Sequence, residues 1–196
     1  MKKTYGCIIV LLCASCAHST YLIENDKPIR QCGITLFGIS SGTPKVFHQP
    51  IRDAVNYWEE ATEVGVFFDA GIVPYTIDSS YLNGILAIGV VSELGECTQH
   101  LESHKQSCGR TFVTIGINNC ITRAKIKISL ECADDMDKLQ TIIRHEVGHA
   151  LGLSDSADFT ALMSYKIEPT MQHPVDASEE EIGAMKALYS KLNKGK

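Results

Sequence analysis

Apolar residues along this chain follow two rhythms. At 51–62 they recur every three to four positions, with Ile51, Ala54, Val55 and Trp58 on one side. That spacing predicts an amphipathic helix with the indole in the core. The rhythm returns at 136–151 through Leu139, Ile142, Ile143, Val147 and Ala150, and at 178–189 through Ile182, Met185, Leu188 and Tyr189. Carboxylates at 134–137 suit the start of the second helix, and Ser178 with Glu181 three residues on forms a capping box for the third. Elsewhere the period shortens. Residues 34–39, 64–68 and 85–91 read as strands, and 111–117 alternates. At 125–130, Lys125, Lys127 and Ser129 oppose Ile126, Ile128 and Leu130, the pattern of a half-exposed strand. The Gly/Pro-punctuated stretch 40–50, and 71–84 and 92–109, read as loops. There is no repeat and no sign of a second domain.

The second helix carries the chemistry. It ends His145-Glu146-Val147-Gly148-His149, followed by Gly152 and Asp155. Residues four apart on a helix point nearly the same way, so His145 and His149 can offer imidazoles to one metal ion. Glu146 sits beside the first of them and can reach a metal-bound water without ligating the metal. A zinc hydrolase needs that division between ligands and base. Gly152 ends the helix, because glycine takes the left-handed turn cheaply. The turn would bring Asp155 back as a third, oxygen ligand and leave a fourth position for water.

Residues 142–165 read Ile-Ile-Arg-His-Glu-Val-Gly-His-Ala-Leu-Gly-Leu-Ser-Asp-Ser-Ala-Asp-Phe-Thr-Ala-Leu-Met-Ser-Tyr. They resemble the active-site segment of the matrixins, the matrix metalloproteinase-like branch of the metzincin zinc proteases. Residues 51–62 with Trp58 resemble the first matrixin helix, and 178–189, ending Ala-Leu-Tyr, the last. The resemblance implies an α+β fold: a twisted mixed sheet, two long helices, a zinc cleft at the sheet edge, and a C-terminal helix below it. It implies a Met-turn at 161–165 with Met163 under the metal. Matrixins have His where this chain has Asp155; an Asp there resembles the snapalysin-type proteases. In astacin- and serralysin-like metzincins a Tyr two residues after that Met contacts zinc or the transition-state oxyanion. Tyr165 is thereby a catalytic candidate, or else a wall of the substrate pocket. An Asp similar to Asp158 helps anchor the mature N-terminus in matrixins; a loop cap is the alternative.

A chain of 196 residues with net charge -5 allows one domain with a real core and gives no support for nucleic-acid binding. Lys2 and Lys3 precede an apolar run at 6–12, too short to span a bilayer, and small residues follow up to Ala17. We therefore expect a signal peptide at 1–17. Cys13-Ala14-Ser15-Cys16 also resembles a lipobox, which would lipidate Cys16 and tether the protein to a membrane. Either route exports it: secreted, periplasmic, or lipid-anchored at the cell envelope. Residues 18–33 read as an N-terminal arm or short propeptide, and 34–196 as the catalytic domain. Of eight cysteines, Cys7, Cys13 and Cys16 lie in the leader, which leaves an odd number. Export favours disulfides, with Cys97–Cys108 and Cys120–Cys132 as the local pairings.

Two further clusters stay open. Residues 28–33 echo the matrixin cysteine switch, which would make Cys32 a zinc-blocking thiolate; a disulfide or a buried thiol is the alternative. Asp26 is a second candidate for latency. Cys97, His100, His104 and Cys108 could hold a structural metal in the long loop, where matrixins carry structural zinc and calcium, or simply staple it. No motif supports Ca2+.

Together these readings predict an exported, monomeric zinc endopeptidase acting on peptides or proteins. A zinc-activated water would attack the peptide bond, with Glu146 as general base. The peptide would lie extended along an exposed strand edge, expected at 111–117. One rival is a gluzincin-like peptidase that takes its third ligand, Glu180 or Glu181, from the last helix; Gly152 and Met163 argue against it. The other is an exported non-catalytic binding module with a structural zinc, which has no use for Glu146.

Overall fold

The continuous apolar run Ile85–Val91 forms a central strand, and the rest of the sheet is built outward from it. The computed structural model describes residues 9–11, 21, 23–24, 27–33, 35–65, 67–74, 84–92, 108–132, 135–165 and 174–190. In chain order the strands are β1 (Ile9–Leu11), β2 (Ile23–Glu24), β3 (Lys27–Pro28), β4 (Arg30–Gln31), β5 (Thr35–Ser40), β6 (Phe67–Val73), β7 (Ile85–Val91), β8 (Gly109–Ile115) and β9 (Cys120–Ser129). The helices are α1 (His48–Thr62), α2 (Met136–Leu151) and α3 (Glu179–Tyr189). The main sheet runs β1-β8-β9-β7-β5-β6, with β4 beside the start of β9. β6, β5, β7 and β9 are mutually parallel, and β8 is antiparallel to β9. β2 and β3 form a separate two-stranded ribbon.

The central parallel strand β7 carries a near-continuous apolar run, whereas β9 alternates and β6, at the sheet edge, is largely exposed. Leu86, Ile88, Ile126 and Ile128 are fully buried and share one core with Ile51, Val55 and Trp58 of α1 and Leu139, Ile142 and Ile143 of α2. Trp58 also donates its indole N–H to the carbonyl of Arg144 at 2.7 Å, which ties α1 to α2 one residue before the metal-binding motif. The alternation expected along β9 holds until Ser129. There the chain tightens into a 3-10 turn, Leu130–Cys132, and Leu130 rotates out to 46% exposure.

Several expectations are corrected. The strand expected at 64–68 is Phe67–Val73 instead. Glu63 closes α1 in the left-handed region at φ 58, and Val64 drops into the core before pairing begins at Thr35↔Phe67. The expected edge at 111–117 is β8, Gly109–Ile115, and its outer side is paired antiparallel with β1, from the stretch read as leader.

Part of the stretch read as an arm packs against the rest of the chain: Ile29 and Gln31 are 1% and 2% exposed. The Gln31 side chain donates to the Ala150 carbonyl at 3.0 Å, and its backbone N–H donates to the Tyr189 hydroxyl at 3.1 Å. That hydroxyl donates in turn to the Leu151 carbonyl at 2.8 Å. β4 is thus wedged between the end of α2 and α3.

The cysteine pairing is Cys32–Cys120 and Cys108–Cys132, not the local pairing by sequence proximity. β4 lies parallel to β9 in the register Arg30↔Cys120, which brings Cys32 alongside Cys120 across 88 residues of sequence. This removes the cysteine switch, since a disulfide sulfur has no thiolate to offer a metal. Among the described residues no helix is long and apolar enough to cross a membrane.

Candidate metal centre

Helix α2 is fixed at both ends by its own sequence. The Asp135 carboxylate accepts from the N–H groups of Asp137 at 2.9 Å and Lys138 at 3.2 Å, two donors that a helix start leaves unpaired. Gly152 sits at φ 108, and the N–H groups of Gly152 and Leu153 return to the carbonyls of His149 and Gly148, each at 3.0 Å. That is the paired closure of a Schellman end. The chain then turns back, and Asp155 arrives beside the imidazoles.

The geometry of the three ligand candidates is close. His145 Nε2 and His149 Nε2 are 3.0 Å apart, and Asp155 Oδ1 is 3.5 and 3.3 Å from them. Each imidazole is oriented from behind. His145 Nδ1–H donates to the Leu162 carbonyl and His149 Nδ1–H to the Leu153 carbonyl, both at 2.9 Å. Carbonyls only accept, so these bonds place the ring protons on Nδ1 and leave both Nε2 lone pairs facing the carboxylate. Three electron-rich atoms held this close can share a positive charge, a proton or a metal ion. Tetrahedral zinc with bonds of about 2.0–2.1 Å separates its ligand atoms by about 3.3 Å, which fits the observed spacing. The same pull toward positive charge shows in the His145 imidazole. Burial disfavours its charge, but the Asp155 hydrogen bond and the Glu146 and Asp155 carboxylates outweigh that and push it up to about 9. Asp155 is correspondingly held far below the usual carboxylate range: burial opposes this, and the two imidazoles overcome it. Among the described residues this is the one cluster of three or more such side chains.

Met163 is 1% exposed and packs against Gly148 of α2. A Cβ built on Gly148 would lie 2.4 Å from its sulfur, so the glycine between Glu146 and His149 is the seat for the methionine. The turn around Met163 is held by Ser156, whose N–H donates to the Met163 carbonyl at 2.6 Å. The Met163 N–H donates to Glu181 Oε1 at 2.6 Å, and Glu181 Oε2 accepts from Ser178 N–H at 2.6 Å. The buried Glu181 carboxylate therefore links the Met-turn to the capping box of α3. This corrects the gluzincin-like alternative: Glu181 is occupied by backbone donors and Glu180 is exposed on α3.

Glu146 is 6% exposed and faces β8, where Thr111 donates its hydroxyl to Oε2 at 2.6 Å. Tyr165 is 53% exposed, with its ring 5.4 Å from that of Phe159. Asp158 caps its own loop through the N–H and hydroxyl of Thr160. Asp26, Cys16, Cys97, His100 and His104 lie outside the described residues.

Three participants were not foreseen from sequence. Thr111 is a polar residue at a core-facing position of an alternating strand, which is a readable signal. Arg144 is buried with its guanidinium 4.0 Å over the Tyr57 ring, and it donates to the Val175 carbonyl and to Asp176. It fastens the chain entering α3 to the metal-site helix. From sequence, Glu181 reads only as a cap or a metal ligand.

A partial match to the matrixin model, with a metzincin-like fold, supports a zinc metalloprotease, a class whose substrates are peptides or proteins. Residues 99–190, just under half of the chain, match the family model of the matrixins. Among solved structures it is similar to archaemetzincin from Methanopyrus kandleri, with a TM-score of 0.52 and 12% identity over 81% of this chain and 96% of that one. No curated protein matches the sequence.

Proposed function

We propose that the protein is an exported zinc endopeptidase in which His145, His149 and Asp155 hold the metal and Glu146 is the general base. The convergence of two Nε2 lone pairs and one carboxylate oxygen within 3.0–3.5 Å carries this reading. A zinc ion bound there supplies Lewis acidity, which brings the pKa of a coordinated water toward about 7. Glu146 takes the proton of the attacking water and returns it to the leaving amine, so that the amine departs neutral. Asp155 adds a negative charge that the neutral imidazoles do not. The Leu162 and Leu153 carbonyls keep both rings in the tautomer that presents Nε2.

The substrate lies extended against the outer side of β8. The antiparallel pairing Ile9↔Thr114, Val10↔Val113 and Leu11↔Phe112 supports this, because that side accepts a segment of backbone. Removal of residues 1–17 as a leader would vacate it. Two disulfides are consistent with an oxidising destination. Tyr165, on the exposed rim beside Phe159, is proposed as a wall of the substrate pocket.

The test is Glu146→Gln. It should keep about one zinc per chain and lose about 10²–10⁴-fold in peptidase turnover. A zinc-loaded variant with undiminished turnover would refute the assignment. The rival binding module predicts no chelator-sensitive hydrolysis from the wild-type protein.

A further inference from the structure

We propose that Thr111 is a positioning residue for the reaction: its hydroxyl, together with the bare backbone of Gly109, forms a slot on β8 that fixes the plane of the Glu146 carboxylate. The proposal rests on the reading of Glu146 as general base. Thr111 is 5% exposed and shares a strand face with Gly109, two residues before it. Its Oγ1 lies 2.6 Å from Glu146 Oε2 and 2.9 Å from the Glu146 carbonyl oxygen. One hydroxyl proton serves both, and the charged, nearer carboxylate takes the larger share. A base on a helix has free torsions, and a single strong donor on Oε2 removes the rotation about its last one. Oε1 then takes the water proton.

Gly109 completes the slot by having no side chain. A Cβ there would fall 2.5 Å from Oε1 and 2.8 Å from Cγ of Glu146. The strand is itself held at this point. Cys108 is bonded to Cys132, its carbonyl accepts from Ser129 N–H at 2.9 Å, and β8 pairs with β9 through Gly109↔Ile128 and Thr111↔Ile126. The hydroxyl is thus presented from a rigid element tied to the turn that leads into α2. Supporting shells of this kind keep catalytic groups within the small tolerances that turnover requires.

A β-branched residue on a buried strand has another reading, as packing alone. Two substitutions separate them. Thr111→Val keeps the shape and removes the hydroxyl; Thr111→Ser keeps the hydroxyl and removes the methyl. If the hydroxyl positions the base, Thr111→Val should lower kcat about 10- to 100-fold, the worth of one hydrogen bond to a charged group. KM should stay within about twofold and zinc stoichiometry should not change. Thr111→Ser should recover kcat to within about threefold of wild type. In a Glu146→Gln background, Thr111→Val should add no further loss. Wild-type kcat in Thr111→Val, a Ser variant as poor as Val, or an additive loss in the Gln background would each overturn the proposal. Full turnover in zinc-loaded Glu146→Gln would instead overturn the reading of Glu146, so the two failures are distinguishable. Should Thr111→Val not fold, Thr111→Cys, with a thiol that donates poorly, takes its place with the same expected and overturning results.

Discussion

Among the described glycines, Gly152 is the one where an added Cβ meets backbone most closely, so Gly152→Ala carries a high cost. The residue sits at φ 108, where an L-residue is strained by about 1–3 kcal/mol. The added methyl would also lie 2.2 Å from the carbonyl oxygen of Ile29 and 3.1 Å from Cδ2 of Leu188. The first contact is with backbone, so β4 must retreat by about 1 Å to reach an ordinary van der Waals separation. It is poorly placed to do so, since Ile29 is fully buried and Gln31 is hydrogen-bonded to Ala150 and Tyr189. Overpacking of this kind costs a further 1–3 kcal/mol or so, giving about 4 kcal/mol in all. For a chain of this size that is a fall in Tm of about 10 °C. Zinc affinity should fall with it, because the turn places Asp155 and the Leu153 carbonyl that orients His149. The assay is thermal unfolding of chelated and zinc-loaded protein, with a zinc titration alongside. Gly183→Ala is the control. It lies on the exposed face of α3 with open space around a built Cβ, and should stabilise by up to about 1 kcal/mol. A Gly152→Ala protein that melts within about 2 °C of wild type and binds zinc normally would refute the reasoning.

Two other outcomes are expected. Asp155→Ala and Asp155→Asn should each weaken zinc binding by more than the 10–100-fold typical of losing a group behind a ligand; wild-type affinity in the Asn variant, by metal titration, would remove Asp155 from the site. The His145 pKa of about 9 means that zinc displaces a proton below that pH, so apparent affinity should rise about tenfold per pH unit from 7 to 8 and flatten above about 9. The sign follows from linkage: the proton stabilises the metal-free fold fully below the unfolded-state value of about 6.5, and that stabilisation is lost as pH rises through about 9. Calorimetry in buffers of different ionisation enthalpy reads the released proton directly, and a pH-independent affinity would contradict the geometry.

The elements that announce their own ends were legible. Helix α2 spans the expected residues because Asp135 and Gly152 mark its limits chemically, and β7 because its apolar run stands between Gly84 and the polar Ser92. The metal cluster was legible for the same reason, since helical spacing and one glycine bring His145, His149 and Asp155 together. What escaped depended on partners distant in sequence. Gln31 looks like a solvated arm residue until Ala150 and Tyr189 satisfy its amide groups. Cys32 finds Cys120 only because β4 aligns with β9. Glu181 reads as a cap, and only the Met-turn backbone opposite it gives its carboxylate a second use. The start of β6 escaped because nothing local signals that Glu63 turns left-handed.

The position of α3 has a temporal consequence. Chains emerge N-terminal end first, and domains fold as units once complete. The residues that brace the site, Glu181 on the Met163 backbone and Tyr189 on Leu151 and Gln31, are made after the last ligand candidate, Asp155. A nascent chain carrying every metal ligand still lacks the clamp that holds the turn under them and the phenol that joins its early and late segments. The braced form of the site therefore arises only after α3 has been made. By the same logic, clipping the last helix would disarm the enzyme without touching a single group in the cleft.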